Sequence, residues 1–81
     1  MKKNSDEISF QLRIRNYTSR EIDFDLEPLG EQYKMKPGAI FTIFATGPRD
    51  DCLEVLYEEN KVVVYGWTGS TVSILNEENN T

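Results

Sequence analysis

The sequence predicts an all-β domain in which about seven short antiparallel strands pack as a two-sheet sandwich. Apolar residues occupy every second position in the two segments between Ile8 and Leu26, which is the period of half-buried strands. Glycine, proline and asparagine separate the apolar segments at short intervals, and no segment sustains the 3.6-residue period of a helix. A small, partly open barrel is the alternative arrangement of the same strands.

The first two strands are expected at Ile8–Arg15 and Glu21–Glu27, joined by a turn at Asn16–Arg20. We predict that they form a hairpin, because one register then places their apolar side chains on one face and opposite charges on the other. In that register Arg13 lies across from Asp23. The aspartate row would therefore be solvated and paired with arginine.

The remaining strands follow from the turn residues that bound them. They are expected at Glu31–Lys36, Ala39–Thr46, Cys52–Tyr57, Lys61–Trp67 and Thr71–Leu75. The segment at Ala39–Thr46 is nearly continuously apolar, which indicates a central strand that is covered on both faces. The segments at Cys52–Tyr57 and Lys61–Trp67 are predicted to form a second hairpin around residues 58–60.

We expect a single domain over residues 8–75, with a disordered N-terminal segment at 1–7 and a disordered tail at 76–81. A chain of 81 residues is long enough for one modest core without disulfides. The predicted core consists of Phe10, Leu12, Ile14, Ile22, Phe24, Leu26, Ile43, Val55, Val62, Val64, Val72 and Ile74.

Composition excludes several classes of function. The chain has no histidine and one cysteine, so most nucleophilic, metal and acid–base sites lack their usual residues. We therefore expect no catalytic residues, no metal site and no cofactor. Fourteen acidic against nine basic residues give a net charge of −5, which disfavours nucleic acid and anionic membranes as partners. The polar, acidic residues after the first lysines do not resemble a signal peptide, and they favour a cytoplasmic location.

Short motifs in the first half of the chain carry a resemblance. They are Asn16-Tyr17-Thr18, then the segment from Leu26 to Tyr33 with Pro28 and Gly30, then Pro37-Gly38. This pattern resembles small uncharacterised bacterial β-sandwich proteins with a cupredoxin-like strand pattern, and it covers residues 8–46. The resemblance implies a cupredoxin-like or immunoglobulin-like sandwich and no particular activity. Where those proteins commonly have a tryptophan, this chain has Leu29, and the histidine ligands of a copper centre are absent.

Several polar residues are candidates for catalytic or metal sites, and for each of them a structural role is favoured. Cys52 lies beside acidic residues that oppose a thiolate, so it is expected to be a small strand residue. Glu27 and Glu31 are the carboxylates on which a hydrolase would depend, a third and less favoured function. Asp50 and Asp51 are too few to form a calcium site and are expected in a solvated loop.

The aromatic and apolar residues give the leading functional hypothesis. Lys61–Trp67 is apolar on both faces, and Tyr65 and Trp67 are predicted to share one face of that strand. Only one face of each sheet meets the core of a sandwich, so extra coverage by another chain is expected. We predict a non-catalytic protein-interaction or accessory module that binds another protein or itself through Trp67, Tyr65 and Leu29. The alternative is a β-sandwich that binds a small ligand or carbohydrate with the same aromatic residues.

Overall fold

The all-β prediction is confirmed. The computed structural model describes residues 6–79, which form seven strands in two facing sheets. The strands are β1 (Glu7–Arg15), β2 (Ile22–Glu27), β3 (Glu31–Met35), β4 (Ile40–Pro48), β5 (Glu54–Glu58), β6 (Lys61–Tyr65) and β7 (Thr71–Glu78). One sheet has the order β1-β4-β7 and the other has the order β3-β2-β6-β5. The arrangement is sandwich-like and does not close into a barrel.

The strand boundaries lie close to those expected, with the largest difference at the C-terminal end. Strand β7 continues to Glu78, three residues beyond the predicted end at Leu75, and its added residues pair with the start of β4. Glu7, assigned to the disordered N-terminal segment, is the first residue of β1. Residues 1–5 and 80–81 of the two predicted disordered segments lie outside the described residues.

The predicted hairpin of β1 and β2 is wrong. Strand β1 pairs with β4 along its whole length, whereas β2 lies in the other sheet between β3 and β6. The β2–β6 pairing is parallel, so not every strand pair is antiparallel as predicted. Alternation of apolar residues fixes which face of a strand is buried, but it does not identify the neighbouring strand. The apolar faces of β1 and β2 meet across the core, not side by side in one sheet.

Asn16 fixes the point at which the chain crosses from one sheet to the other. Its side chain is buried, and its Nδ2 donates hydrogen bonds to the carbonyl oxygens of Arg20 at 2.8 Å and Met35 at 2.9 Å. Its Oδ1 accepts hydrogen bonds from the backbone N and the Oγ1 of Thr18. The turn chemistry expected of this asparagine therefore builds an arch between sheets.

The second predicted hairpin and the predicted central strand are confirmed, but the predicted charge pairing is not. Strands β5 and β6 form a hairpin, and β4 is the central strand of its sheet. Asp23 pairs with Lys34 at 2.7 Å and Asp25 with Lys61 at 3.3 Å, not with arginines of β1. Asp25 is also buried, because its neighbours on the outer face of the sheet cover it.

The core lies between the two sheets and is built around aromatic contacts. Phe41 of β4 packs edge-on against Phe24 of β2 at 5.1 Å and against Tyr33 of β3 at 6.1 Å between ring centroids. The fully or nearly fully buried apolar residues are Ile22, Phe24, Leu26, Met35, Ala39, Phe41, Ile43, Ala45, Val62, Val63, Val64, Trp67 and Val72. The prediction that Val55 belongs to the core is wrong: the residue is 48% exposed, because β5 is the fourth strand of its sheet and the facing sheet has three strands in the described part of the chain.

Candidate functional site

A groove at one end of the sandwich brings together the three residues predicted to contact a partner. Its volume is about 620 Å³, and its walls come from the β2–β3 turn, the segment that leads into β5, the end of β6 and the loop before β7. Its lining includes the carboxylates Glu27, Asp51 and Glu54 and the large apolar or aromatic residues Leu29, Tyr65 and Trp67. The groove therefore gathers residues that lie far apart in the sequence.

Trp67 forms the buried base of this groove. Its side chain is only 8% exposed, its ring stacks on Phe10 of β1 at 6.4 Å between centroids, and its Nε1 donates a hydrogen bond of 2.8 Å to the carbonyl oxygen of Pro48. Strand β6 ends at Tyr65, so the prediction that Tyr65 and Trp67 share one strand face is wrong. The chain turns inward after Tyr65, and the tryptophan becomes part of the core.

The loop that holds Trp67 is fixed by two reciprocal hydrogen bonds and a close approach of backbone. The backbone N of Trp67 donates to Ser70 Oγ at 2.8 Å, and the backbone N of Ser70 donates to the carbonyl oxygen of Trp67 at 2.8 Å. A Cβ on Gly66 would lie 2.7 Å from Ser70 Oγ, and one on Gly47 would lie 2.7 Å from Ser70 Cα. Only glycine fits at position 47, where the clash is with backbone, and a side chain at position 66 would displace the hydroxyl of Ser70, so the base of the groove is closely packed.

Tyr65 and Leu29 form the accessible part of the groove. The side chain of Leu29 is 59% exposed in the β2–β3 turn, and that of Tyr65 is 38% exposed at the end of β6. The strand register places Tyr65 directly between Glu27 on β2 and Glu54 on β5. Tyr65 thus presents an apolar ring between two carboxylates.

The groove is acidic at its rim. Its lining includes the carboxylates of Glu27, Asp51 and Glu54, and among residues 6–79 no lysine or arginine contributes to it. Cys52, which was predicted to be a strand residue, is an exposed free thiol in the segment before β5 and also lines the groove. Such a site favours a ligand that combines apolar surface with positive charge.

The two carboxylates considered for hydrolysis are not brought together in the groove. Glu27 lines it, but Glu31 lies outside, where its Oε1 accepts a hydrogen bond of 2.7 Å from the hydroxyl of Tyr33. That hydrogen bond, together with burial and the charges of Glu31 and Glu77, raises the pKa of Tyr33 to about 12. Within the part of the chain that the structure describes, no group of three or more Cys, Asp or Glu side chains is placed to hold a metal ion.

Sequence reasoning identified the apolar residues of the groove and missed its acidic rim. Asp51 was assigned to a solvated loop, and Glu54 was considered only as a neighbour of Cys52. Their placement depends on the path of the segment between β4 and β5, for which a polar loop sequence carries no signal. Ser70 was assigned to a turn, and the Gly-Ser dipeptide at 69–70 was the available signal for a closed loop.

Comparison of the chain with protein-family models, with curated proteins and with solved structures gave no match. None of the residues from 6 to 79 forms a helix with the length and apolarity needed to cross a membrane. The groove and the fold are therefore the observations from which a function can be argued.

Proposed function

We propose that this domain is a non-catalytic protein-interaction module that holds an apolar side chain of a partner protein in its end groove. The observation that carries the proposal is that Leu29, Tyr65 and Trp67 line the same groove. Trp67 supplies a fixed base, whereas Leu29 and Tyr65 remain accessible at its mouth. A rigid aromatic base with exposed apolar neighbours is typical of the central contact in a protein interface.

The charge of the groove defines the chemistry of the partner. Glu27, Asp51 and Glu54 surround the apolar surface without a basic residue among the lining positions of the described chain. A partner segment with an apolar anchor flanked by lysine or arginine complements this arrangement. Phosphate-bearing partners are disfavoured by the same carboxylates, so the proposal excludes nucleic acid and anionic membranes.

The same proposal makes the domain a non-catalytic, cytoplasmic protein with a cupredoxin-like topology. We assign no catalysis and no cofactor, because the separation of Glu31 from the groove removes the second carboxylate of the hydrolase alternative. An exposed free thiol at Cys52 is suited to the reducing cytoplasm. The parallel β2–β6 pair departs from the antiparallel immunoglobulin arrangement, so we propose the cupredoxin-like topology of the two predicted.

A small-ligand site is the second candidate function, because a groove of about 620 Å³ lies within the range of small-molecule pockets. Carbohydrate is the less favoured ligand. Sugars stack on exposed aromatic faces, and one face of the Trp67 ring is already covered by Phe10. Of the two aromatic residues that line the groove, Tyr65 is the one that remains available as a stacking surface.

Affinity capture with matched variants tests the proposal. The tagged chain, Leu29→Asp and the control Leu75→Asp are each incubated with a lysate of the source cells, and retained proteins are quantified by mass spectrometry. Leu75 is similarly exposed, at 55%, but lies on β7 away from the groove. We expect a stoichiometric partner that the wild type and Leu75→Asp retain and that Leu29→Asp loses.

The captured partner then identifies its binding segment. A peptide from it that contains the basic and apolar residues should shift the NMR signals of Leu29 and Tyr65 in the folded chain. Capture that Leu29→Asp does not weaken would contradict the groove as the site. If no protein is retained, a screen of simple sugars and other small molecules for shifts of the same signals tests the second candidate.

A further inference from the structure

The sandwich has one open side, where β5 extends beyond the opposite sheet. At the closed side β3 lies across from β7. Their C-terminal ends meet, since the backbone N of Lys36, just after β3, donates a hydrogen bond of 3.2 Å to Oδ1 of Asn79, just after β7. On the other side β1 faces the end of β6, because Phe10 stacks on Trp67. Within the described residues, the fourth strand of the larger sheet, β5, therefore has no strand opposite it. Its inner-face side chains Val55 and Tyr57 are 48% and 61% exposed.

Among residues 6–79, no strand pairs with the outer edge of either strand at the open side, although the carbonyl oxygen of Glu7 at the start of β1 accepts a hydrogen bond from Arg49 Nη2. The backbone N of Asn16 donates a hydrogen bond to the carbonyl oxygen of Ala39, the residue before β4. The even-numbered residues of β1 therefore direct their backbone N–H and C=O groups towards β4, and the odd-numbered residues direct theirs towards the outer edge. In the β5–β6 hairpin, a two-residue turn follows the Glu58–Lys61 pair, so Val55 and Tyr57 direct their backbone groups to the free edge. Each edge can accept a further strand.

The two edge strands, β1 and β5, run in the same direction and lie in different sheets of the sandwich. The chain reverses between β1 and β2, β2 is parallel to β6, and β6 is antiparallel to β5. Strand β5 is therefore parallel to β1. A two-fold axis parallel to the strands keeps their direction and exchanges the two layers. It places β5 of one copy beside β1 of the other, in the space that the shorter sheet leaves open.

We propose that a second copy of this chain docks on the open side, with β5 of each copy paired in parallel with β1 of the other. The three strands of one copy and the four of its partner then form a continuous sheet in each layer. The exposed Val55 and Tyr57 of one copy then face the same two residues of the other copy, because the two β5 strands come to lie opposite each other in different layers. This inference rests on the proposed function in one respect, namely that the domain acts by binding protein.

Charge complementarity favours this partner. The outer face of β1 carries Arg13 and Arg15, and the outer face of β5 carries Glu54 and Glu58. Neither arginine forms an ion pair with any residue in the range 6–79. Parallel pairing places the two outer faces on the same side, so the arginines of one copy lie along the glutamates of the other.

The two symmetric alternatives fit less well. Antiparallel pairing of β5 with itself around Leu56 would set Glu54 against the partner's Glu58, which is a repulsive contact. Antiparallel pairing of β1 with itself around Gln11 sets Glu7 against the partner's Arg15, which is favourable in charge. However, that pairing brings the β5 strands of both copies into the same space beneath the β1–β1 contact. The pairing of β1 with β5 avoids this overlap, because each β5 occupies the space beside the partner's β1.

Sedimentation equilibrium with charge-reversed variants tests the inference. One variant carries Arg13→Glu with Arg15→Glu, and the other carries Glu54→Arg with Glu58→Arg. We expect the wild type to dimerise, each variant alone to associate at least about tenfold more weakly, and an equimolar mixture of the two to dimerise again. In that mixed dimer both seams have opposite charges. Circular dichroism confirms that each variant is folded.

Two further variants keep the test independent of the charged residues. Val55→Asp should weaken the dimer by at least about tenfold, whereas Leu29→Asp in the end groove should leave it unchanged. A wild type that remains monomeric up to millimolar concentration overturns the dimer, as does dimerisation that Val55→Asp does not affect. A dimer that the arginine variant disrupts and the glutamate variant does not overturns this geometry in favour of β1 self-pairing. Each result leaves the capture experiment with Leu29→Asp as a separate test of the groove.

Discussion

The closed and open sides of the sandwich differ in how far they bury the inner face of an edge strand, β3 on one side and β5 on the other. At the closed side Met35 of β3 is fully buried and Tyr33 packs on the core, since β7 lies opposite. At the open side the equivalent inner-face residues of β5, Val55 and Tyr57, are exposed. Both strands carry large apolar or aromatic residues on the inner face, Tyr33 and Met35 in β3 and Val55 and Tyr57 in β5. Burial of the inner face of a strand therefore depends on the number of strands in the opposite sheet.

The largest expected effect lies in the core next to the closed side. Phe41→Ala should lower the free energy of unfolding by about 3–5 kcal/mol, because it removes a fully buried ring from contact with Phe24 and Tyr33. Urea unfolding followed by circular dichroism measures this change. A loss below about 1 kcal/mol would mean that this side is as loosely packed as the open one.

Trp67 lies on the open side, but its ring is nearly as well buried as the core residues of the closed side. Trp67→Phe keeps a ring against Phe10 but removes the hydrogen bond to the carbonyl oxygen of Pro48. Leaving that part-buried oxygen unpaired should cost about 1–3 kcal/mol of stability. Thermal unfolding by circular dichroism measures the loss. An unchanged stability would indicate that the indole nitrogen does not fix the loop.

Truncation of an exposed residue on the open side should have little effect on the monomer. Tyr57→Ala is expected to change the free energy of unfolding by no more than about 0.5 kcal/mol at low protein concentration, because its ring lacks an opposing strand. The matched control is Tyr33→Ala on the closed side, which should cost more. Equal losses in urea unfolding of the two variants would contradict the distinction between the sides.

The smallest expected effect is a pH dependence on the closed side. Folding raises the pKa of Tyr33 from 10.0 to about 12, mainly through its hydrogen bond to Glu31. A raised pKa means that the folded state holds the proton more tightly. The associated stability is therefore complete below pH 10 and is lost as the pH rises through about 12.

NMR of ring-labelled tyrosine measures this titration directly. In Glu31→Gln the pKa of Tyr33 should fall towards its ordinary value, because the carboxylate no longer accepts the hydroxyl proton. Glu77→Gln is the matched control, since the charge of Glu77 is the weakest of the four causes of the shift. Similar titrations in the wild type and Glu31→Gln would refute the role of this hydrogen bond.

The sequence predicted the strands and their buried faces but not their neighbours. Alternation placed Phe24 and Leu26 correctly in the core, since the period of side chains along a strand is a local property. The same alternation also permitted the wrong hairpin, because faces that meet across a core and faces that lie side by side have identical patterns. Val55 was misplaced for a related reason: its burial depends on a strand count that no local pattern encodes.

The apolar residues of the groove could be predicted from the sequence, whereas its acidic residues could not. Tyr65 belongs to a segment that is apolar on both faces, and Leu29 stands where the proteins that the chain resembles commonly have a tryptophan, so both residues could be selected from the sequence. Asp51 and Glu54 are ordinary charged residues, and their position on the groove rim follows only from the path of the chain between the two sheets. Tertiary placement of polar residues is the part that local chemistry does not determine.

The buried Asn16 has a consequence for producing this protein. Asn16-Tyr17-Thr18 is a glycosylation sequence, and the atom to which a glycan attaches is the same Nδ2 that bonds to Arg20 and Met35 in the arch between sheets. A folded molecule cannot offer that nitrogen to an enzyme. In a secretory expression host, modification before folding would remove one of the donor hydrogens and place a sugar inside the crossing. Replacing Thr18 would prevent this, but it would also remove the hydroxyl that helps to orient Asn16.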